Sequence, residues 1–319
     1  MGLPVTMYRH TDAGAPVQRI NKPSDVISIL KACLVNGYGT MVGAGWNLVF
    51  EDVSANKAVF SNSLVAGGSG GAVQVEPHSG SDAVGAPVRF TAANQITALD
   101  SYINKCGFRG FTTNFSSSGK PTKGWTVIAT ARSFYIIVES PETKLQENFD
   151  TNGYAAVIFI GDIESYIPND PGIFSIATGH QSVGDALIND YNNATFFCGG
   201  SKSAVQLYAT DGATDSAGYR MSCDYSSDWL YFAPSTEFDP AITNTPIDLQ
   251  RAPLLNAGTP TASLPLCRGF IPGLFVTHLR AFFKIELPII RALGGDKYYF
   301  PASPMNISCV IQCSGEWYV

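Results

Sequence analysis

"KPSDVISILKACLVNGYGTMVGAGWNLVFED", from Lys22 to Asp52, holds a change of period that decides the fold class. In its first half Val26, Ile29, Leu30, Cys33 and Leu34 recur at helical spacing. Ser24 is placed to cap that helix, and Asp25 falls in the first turn, where the helix dipole favours a carboxylate. Gly37 stands where a helix ends on glycine. From Trp46 onward, "WNLVFED" alternates with a period of two, as a half-buried strand does.

The four glycines between these halves, Gly37, Gly39, Gly43 and Gly45, invite a phosphate-loop reading. The order of elements argues against it. A dinucleotide fingerprint runs strand, glycines, helix, and here the order is reversed. A P-loop closes on Gly-Lys-Ser/Thr, whereas Gly45 is followed by Trp46 and Asn47. The glycines are therefore expected to be conformational.

Beyond this joint the chain reads as strands. "KAVFSN", "GAVQVEP", "PVRFTA", "AVQLYA", "YRMSCDY", "WLYFAP", "KYYFP" and "NISCVIQCSGEWYV" are short β-like runs separated by Gly, Asn and Ser clusters. "GWTVIATARSFYIIVES" predicts two strands joined by a tight turn near Ala131 and Arg132, and "YAAVIFIGDIESYIP" a strand reaching a polar edge. Further helices are expected around "NQITALDSYI" and, near residue 280, in "HLRAFFKIELPIIRAL", which Pro288 must interrupt. The fold class expected is thus α+β and β-dominated, with sandwich-like antiparallel sheets. The polar stretch Ser140–Gly153 suggests a seam between an N-terminal α+β region, 1–145, and a β-rich region, 146–319, or a loop within one intertwined domain.

Composition narrows the function. Only 14% of the 319 residues are charged, against 45% apolar. A charge-poor surface suggests neutral Ser, Thr, Asn and Gly outside, or cover by other subunits. A net charge of −6 argues against nucleic acid. No stretch reaches the roughly 18 uninterrupted apolar residues of a membrane span, and no membrane partner is expected. The start lacks the apolar core of a signal peptide, and its match to a myristoylation pattern at Gly2 and Thr6 is set aside. The seven cysteines lack framework spacing and are expected as free thiols in a reducing compartment, Cys309 and Cys313 included, with the sequons at Asn114, Asn193 and Asn306 unused.

Catalytic signatures are weak. "GGSGG" formally presents Ser69 as a nucleophile, but "AVQVEP" follows it where an elbow needs a helix. Asp162 and Glu164 alternate on a presumed strand and so face one way, as paired carboxylates for acid–base work or a hard cation. A solvated strand end is the more usual explanation. Asp211, Asp215, Asp224 and Asp228 lie in acidic loops that match no calcium-loop pattern. His10, His78, His180 and His278 show no metal spacing. No cofactor, metal or catalytic residue is expected.

Aromatic residues on charge-poor strands compose either a core or a subunit interface. Trp46, Trp229, Trp317 and Tyr318 are the interface candidates. The candidate contact segments are Met1–Asn21, Ala66–Gly71, Gly179–Gly218 and Trp317–Val319.

Several motifs resemble, in order, those of a group of virion structural proteins of tailed bacteriophages. "CLVNGYG" followed by "GW", then "KAVFSN", is similar to that group's "CLVNGYG…GW" and "KAVFRN"-like text. "WTVIATARSFYIIVES" corresponds to a "W…ADGRTFYL"-like strand pair, "FIGDIESYIPND" to "FFGDFxSYxPxD", and "CRGFIPGLF" to "GRLPGLY". The matching residues are Asn36–Gly39, Trp46, Lys57–Asn62, Arg132–Tyr135, Gly161–Asp170 and Gly269–Gly273, while a loop-rich insertion at 179–225 departs from the pattern. The resemblance implies a non-enzymatic particle component, made in the host cytoplasm and carried in the virion as a head decoration, neck or collar part, or tail part. Its implied partners are further copies of itself and major capsid, portal, neck or tail proteins. The alternatives from the residues themselves are a receptor- or carbohydrate-binding module and, less favoured, a hydrolase using Ser69 or the Asp162–Glu164 pair.

Overall fold

At the helix-to-strand joint the returning chain packs closely against the helix end. The computed structural model describes residues 2–115, 120–139, 144–145, 156–178, 186–188, 204–221, 247–277, 286–301 and 309–319. An α-helix, Pro23–Leu30, continues as a π-helical turn, Lys31–Asn36. Its cap differs from expectation. Ser24 lies inside the first turn, behind Pro23, and its N–H and hydroxyl both bond the Asp82 carboxylate at 2.7 Å. The Asp25 carboxylate instead accepts from the N–H groups of Asn21 (2.8 Å) and Lys22 (3.1 Å).

The orphan carbonyls at the helix end are satisfied by the returning chain. Ala44 N–H donates to Cys33 O (2.9 Å), and Gly45 and Trp46 N–H both donate to Leu34 O (3.0 Å). Trp46 is then buried, with its indole N–H on Thr130 O at 2.9 Å and its ring edge-on to Phe134. Gly37 closes the turn at φ +77°, ψ 173°, a region essentially reserved for glycine. A Cβ there would fall on the Met41 carbonyl. Gly37→Ala is expected to lower stability by about 1–3 kcal/mol, read as an earlier urea midpoint; an unchanged midpoint would refute this role.

Sheets form three layers. The central sheet orders Phe174–Ala177, Ala156–Asp162, Ser133–Glu139, Gly124–Ala129 and Thr6–Arg9, all antiparallel. The predicted turn at Ala131–Arg132 joins two of these strands. Its strands come from both sides of residue 145. Both faces are buried, so "SFYIIVE" and "AVIFIGD" read as continuous apolar runs. Val127, Phe134, Ile136, Ile158 and Ile160 face one core, which they share with the helix and with a six-stranded sheet. Ile128, Tyr135, Ile137, Val157 and Phe159 face the other, shared with the C-terminal strands. Each such side chain stabilises by about 1.5–3 kcal/mol.

The six-stranded sheet runs from Ala186–Ile188, its one parallel pairing, through Ser101–Thr112, Pro87–Ala98, Ala72–Pro77 and Lys57–Ser61 to Asn47–Asp52. A bulge between Leu48 and Phe50 interrupts pairing at that edge strand, a common way to blunt an open edge. The C-terminal layer holds two five-stranded sheets. One contains Ala204–Tyr208, Ser216–Met221, Pro253–Asn256, Cys267–Phe270 and Glu164–Ser165, the other Leu249–Gln250, Leu274–Thr277, Cys309–Gln312, Asp296–Phe300 and Ile289–Leu293. Leu3–Pro4 pairs with Glu316–Trp317, so the two ends of the chain meet.

Where the structure describes them, the other two predicted helical segments are strands. "NQITALDSYI" is the tip of the Pro87–Thr112 hairpin, where Ile96 and Tyr102 are cross-strand partners. Apolar residues on both arms near a tip mimic helical spacing, and Asp100 at φ +63° makes the turn. Of the segment near 280, Glu286–Leu287 and Ile289–Leu293 are strands, the latter turned by Gly294–Gly295; residues 278–285 lie outside the described residues. Pro288 and two β-branched isoleucines favour the extended form. The expectation of seven free thiols also fails. Cys33, Cys106, Cys267 and Cys313 are free, but Cys309 is disulfide-bonded.

Candidate functional site

The turn at Ala131–Arg132 gathers more long-range polar contacts than any catalytic motif in the sequence foretold. Ala131 O accepts from Ser63 N–H (2.9 Å), and Arg132 O accepts from the Asn62 amide (3.2 Å). This ties the Ser63–Gly71 loop to the central sheet. Asp162, at the end of the neighbouring strand and fully buried, completes the tie. One carboxylate oxygen accepts the Ser69 hydroxyl at 2.5 Å. The other accepts Ser69 N–H at 3.0 Å and Arg132 Nε at 3.2 Å. Burial raises the Asp162 pKa above its usual value, opposed by Ser69 and Arg132.

The chain's end closes the cluster. The Tyr318 hydroxyl donates to the Asp162 carbonyl (2.6 Å) and lies 2.9 Å from Ser133 Oγ. Arg132 stacks over the Tyr318 ring at 4.1 Å. Tyr318 sits at φ +61°, uncommon for a bulky residue, and its pKa is pushed well up by burial.

A cleft of about 530 Å³ opens beside this cluster, lined by Gly67, Ser69, Arg132, Glu164, Ser165, Ile167, Asn169, Asp170 and Tyr318 among others. Its charges are matched internally. Arg132 meets Asp162, Glu164 meets Arg251 at 2.6 Å, and Asp170 meets Arg268 at 2.6 Å. On the other side of the turn, a groove of about 370 Å³ is lined by Leu3, Pro4, Met41, Val42, Ala129 and Ala131 among others. Val42 is 81% exposed, Leu64 is 70% exposed and Val65 is fully exposed.

The sequence candidates are redistributed by this geometry. Ser69 and Asp162 do meet, but the hydroxyl is committed to a buried carboxylate already paired with arginine. Among the described residues no histidine bonds Ser69: His10 contacts Trp125, and His78 packs on Phe108. The arrangement pins a loop, with no free base among the described residues. Asp162 and Glu164 do not act as a carboxylate pair, because Ile163 N–H bonds Ile173 O between them and each carboxylate faces its own arginine. Among the described residues no cluster of His, Cys, Asp and Glu could hold a metal ion. Trp46 and Trp317 are buried in the chain's own cores, so their rings are unavailable to a neighbouring subunit; Tyr318 lines the cleft, and Trp229 lies outside the described residues. Asp224, Asp228, His180, His278 and most of the insertion at 179–225 also lie outside them.

No family model and no curated protein matches this chain. Among the described residues no helix is long and apolar enough to cross a membrane.

Four residues from the segments that carry the phage resemblance meet beside this turn. Asn62, Arg132 and Asp162 share the cluster, and Trp46 bonds Thr130 beside it. Gly269 at φ +146° lets its strand close on the Glu164 carbonyl. What sequence reading missed is the pairing itself: Arg132 and Arg268 carry no local signal that names Asp162 and Asp170 as partners.

Proposed function

We propose that this chain is a non-enzymatic structural component of a tailed-phage virion that works through subunit contacts around the Ala131–Arg132 end. The observation that carries the reading is an apolar tip and an apolar groove at the same end of one molecule. Leu64 and Val65 project into solvent from a loop that four polar contacts hold in place. The groove beside the same turn is walled by Leu3, Pro4, Met41 and Val42. A tip on one copy and a groove on the next make a head-to-tail contact, which closes into a ring when the rotation permits. The low charge of the sequence and the meeting of Trp46, Asn62, Arg132 and Asp162 at this turn support the same reading. Copies of this chain are the first partners; major capsid, portal, neck or tail proteins are the others.

Burying Leu64 and Val65 in a neighbour contributes about 1.5–3 kcal/mol each. Sedimentation velocity is expected to show a concentration-dependent oligomer for the wild type. Leu64→Asp with Val65→Asp is expected to weaken association on the order of a hundredfold with an unchanged melting temperature. A wild type that stays monomeric at the highest attainable concentration would contradict the reading.

A further inference from the structure

The cleft on the Tyr318 side of the turn is not accounted for by subunit contacts. Its volume, about 530 Å³, falls in the range of small-ligand sites. Its chemistry restricts what fits. Its three charged side chains are each paired inside the protein: Arg132 with Asp162, Glu164 with Arg251, and Asp170 with Arg268. A phosphate or other strongly charged ligand therefore meets no uncompensated countercharge. An apolar ligand meets a lining dominated by polar groups.

What remains is neutral hydrogen-bonding capacity on fixed groups. Glu164 has one oxygen on Arg251 and, among the described residues, no partner for the other. The Asn169 amide is exposed and has no bond among the described residues. The loop between them is held rigid: Ser165 Oγ donates to Asp170 (2.6 Å) and accepts from Ile167 N–H (3.1 Å). Asn169 itself sits at φ +54° and Tyr318 at φ +61°. Of the two, only Tyr318 is uncommon, since the left-handed region is routine for asparagine in a turn and rare for a bulky aromatic.

We propose that this cleft binds an uncharged saccharide. Glu164 accepts from one ring hydroxyl, Asn169 bonds its neighbour through the amide, and Tyr318, stacked under Arg132, supplies the apolar wall. A vicinal diol suits an acceptor and an amide held apart on a rigid loop, and a neutral ring suits a site whose charged side chains are already paired. This assignment stands apart from the assembly reading, since none of the three residues belongs to the apolar tip or groove.

Saturation-transfer NMR tests it, using the methyl glycosides of glucose, galactose, mannose and N-acetylglucosamine, each at millimolar concentration, with the wild-type chain. Transfer to the ring protons of at least one glycoside is expected. It should fall at least tenfold in Asn169→Gly, which keeps the backbone conformation, and in Glu164→Gln, which keeps the side-chain shape; if only one variant folds, that one decides. No transfer from the wild type overturns the proposal. So does transfer that survives in a folded variant, or displacement of the glycoside by inorganic phosphate.

Discussion

Arg268→Met is expected to lower stability by about 3–5 kcal/mol, among the largest effects of any single substitution in this chain. Arg268 is fully buried, and its guanidinium holds Asp170 in a fork, with Nε at 2.6 Å and Nη2 at 2.7 Å. Nη2 also donates to Tyr208 O at 2.6 Å. The fork links the loop after Glu164–Ser165 to Ala204–Tyr208 and Cys267–Phe270, three segments distant in sequence. Removing the cation leaves a buried carboxylate without its counter-charge, which is far more unfavourable than never having had the pair. The double variant Arg268→Met, Asp170→Asn removes both charges and is expected to recover at least half of the loss. Urea midpoints of the four members of this cycle check both statements. A single-variant loss under about 1 kcal/mol would show that the pair is hydrated and that its structural role is overstated.

Asp162→Ala comes next, with an expected loss of about 2–4 kcal/mol. It strips the acceptor from Ser69 N–H, the Ser69 hydroxyl and Arg132 Nε, and each buried donor left unmet costs about 1–3 kcal/mol. Arg132 keeps some solvent access and its stack on Tyr318, which holds the total below the sum. The loss should be local as well as global, with amide exchange at Ser69 and Gly71 accelerating more than exchange in Ser133–Glu139. Asp162→Asn should be milder. It also has a pH signature. The folded-state pKa of Asp162 lies above the ordinary aspartate value of 3.8, because burial opposes ionisation more than Ser69 and Arg132 favour it. A raised carboxylate contributes stability that is fully present below about pH 3.8 and is lost as pH rises through the folded pKa. The wild type minus Asn difference should therefore shrink with rising pH across that window. A difference that grows with pH would mean that Arg132 dominates the site.

Much of the layered fold was legible because its strands obey a simple rule. "SFYIIVE" and "AVIFIGD" are apolar throughout, as strands buried on both faces must be, and "NLVFED" alternates at an exposed edge. The helix and its terminal Gly37 were legible from period and punctuation. The hairpin tip at Asn94–Ile103 was misread because apolar residues on two facing arms imitate one helical face, and only the positive φ of Asp100 separates the cases. The site was less legible. Ser69, Asp162 and Tyr318 each stood out singly, for a glycine-rich loop, a strand end and a terminal aromatic. Their union depends on residues 93 and 156 positions apart meeting at one turn, which no local pattern encodes.

We propose subunit assembly on a tailed-phage particle, and quantitative mass spectrometry of gradient-purified particles from cells producing this chain tests it. The chain is expected in the particles at a fixed ratio to the major capsid protein, with the Leu64→Asp, Val65→Asp variant synthesised but left out of them. Absence of the wild-type chain from the particles, with the protein accumulating in the lysate as a monomer, would rule the proposal out.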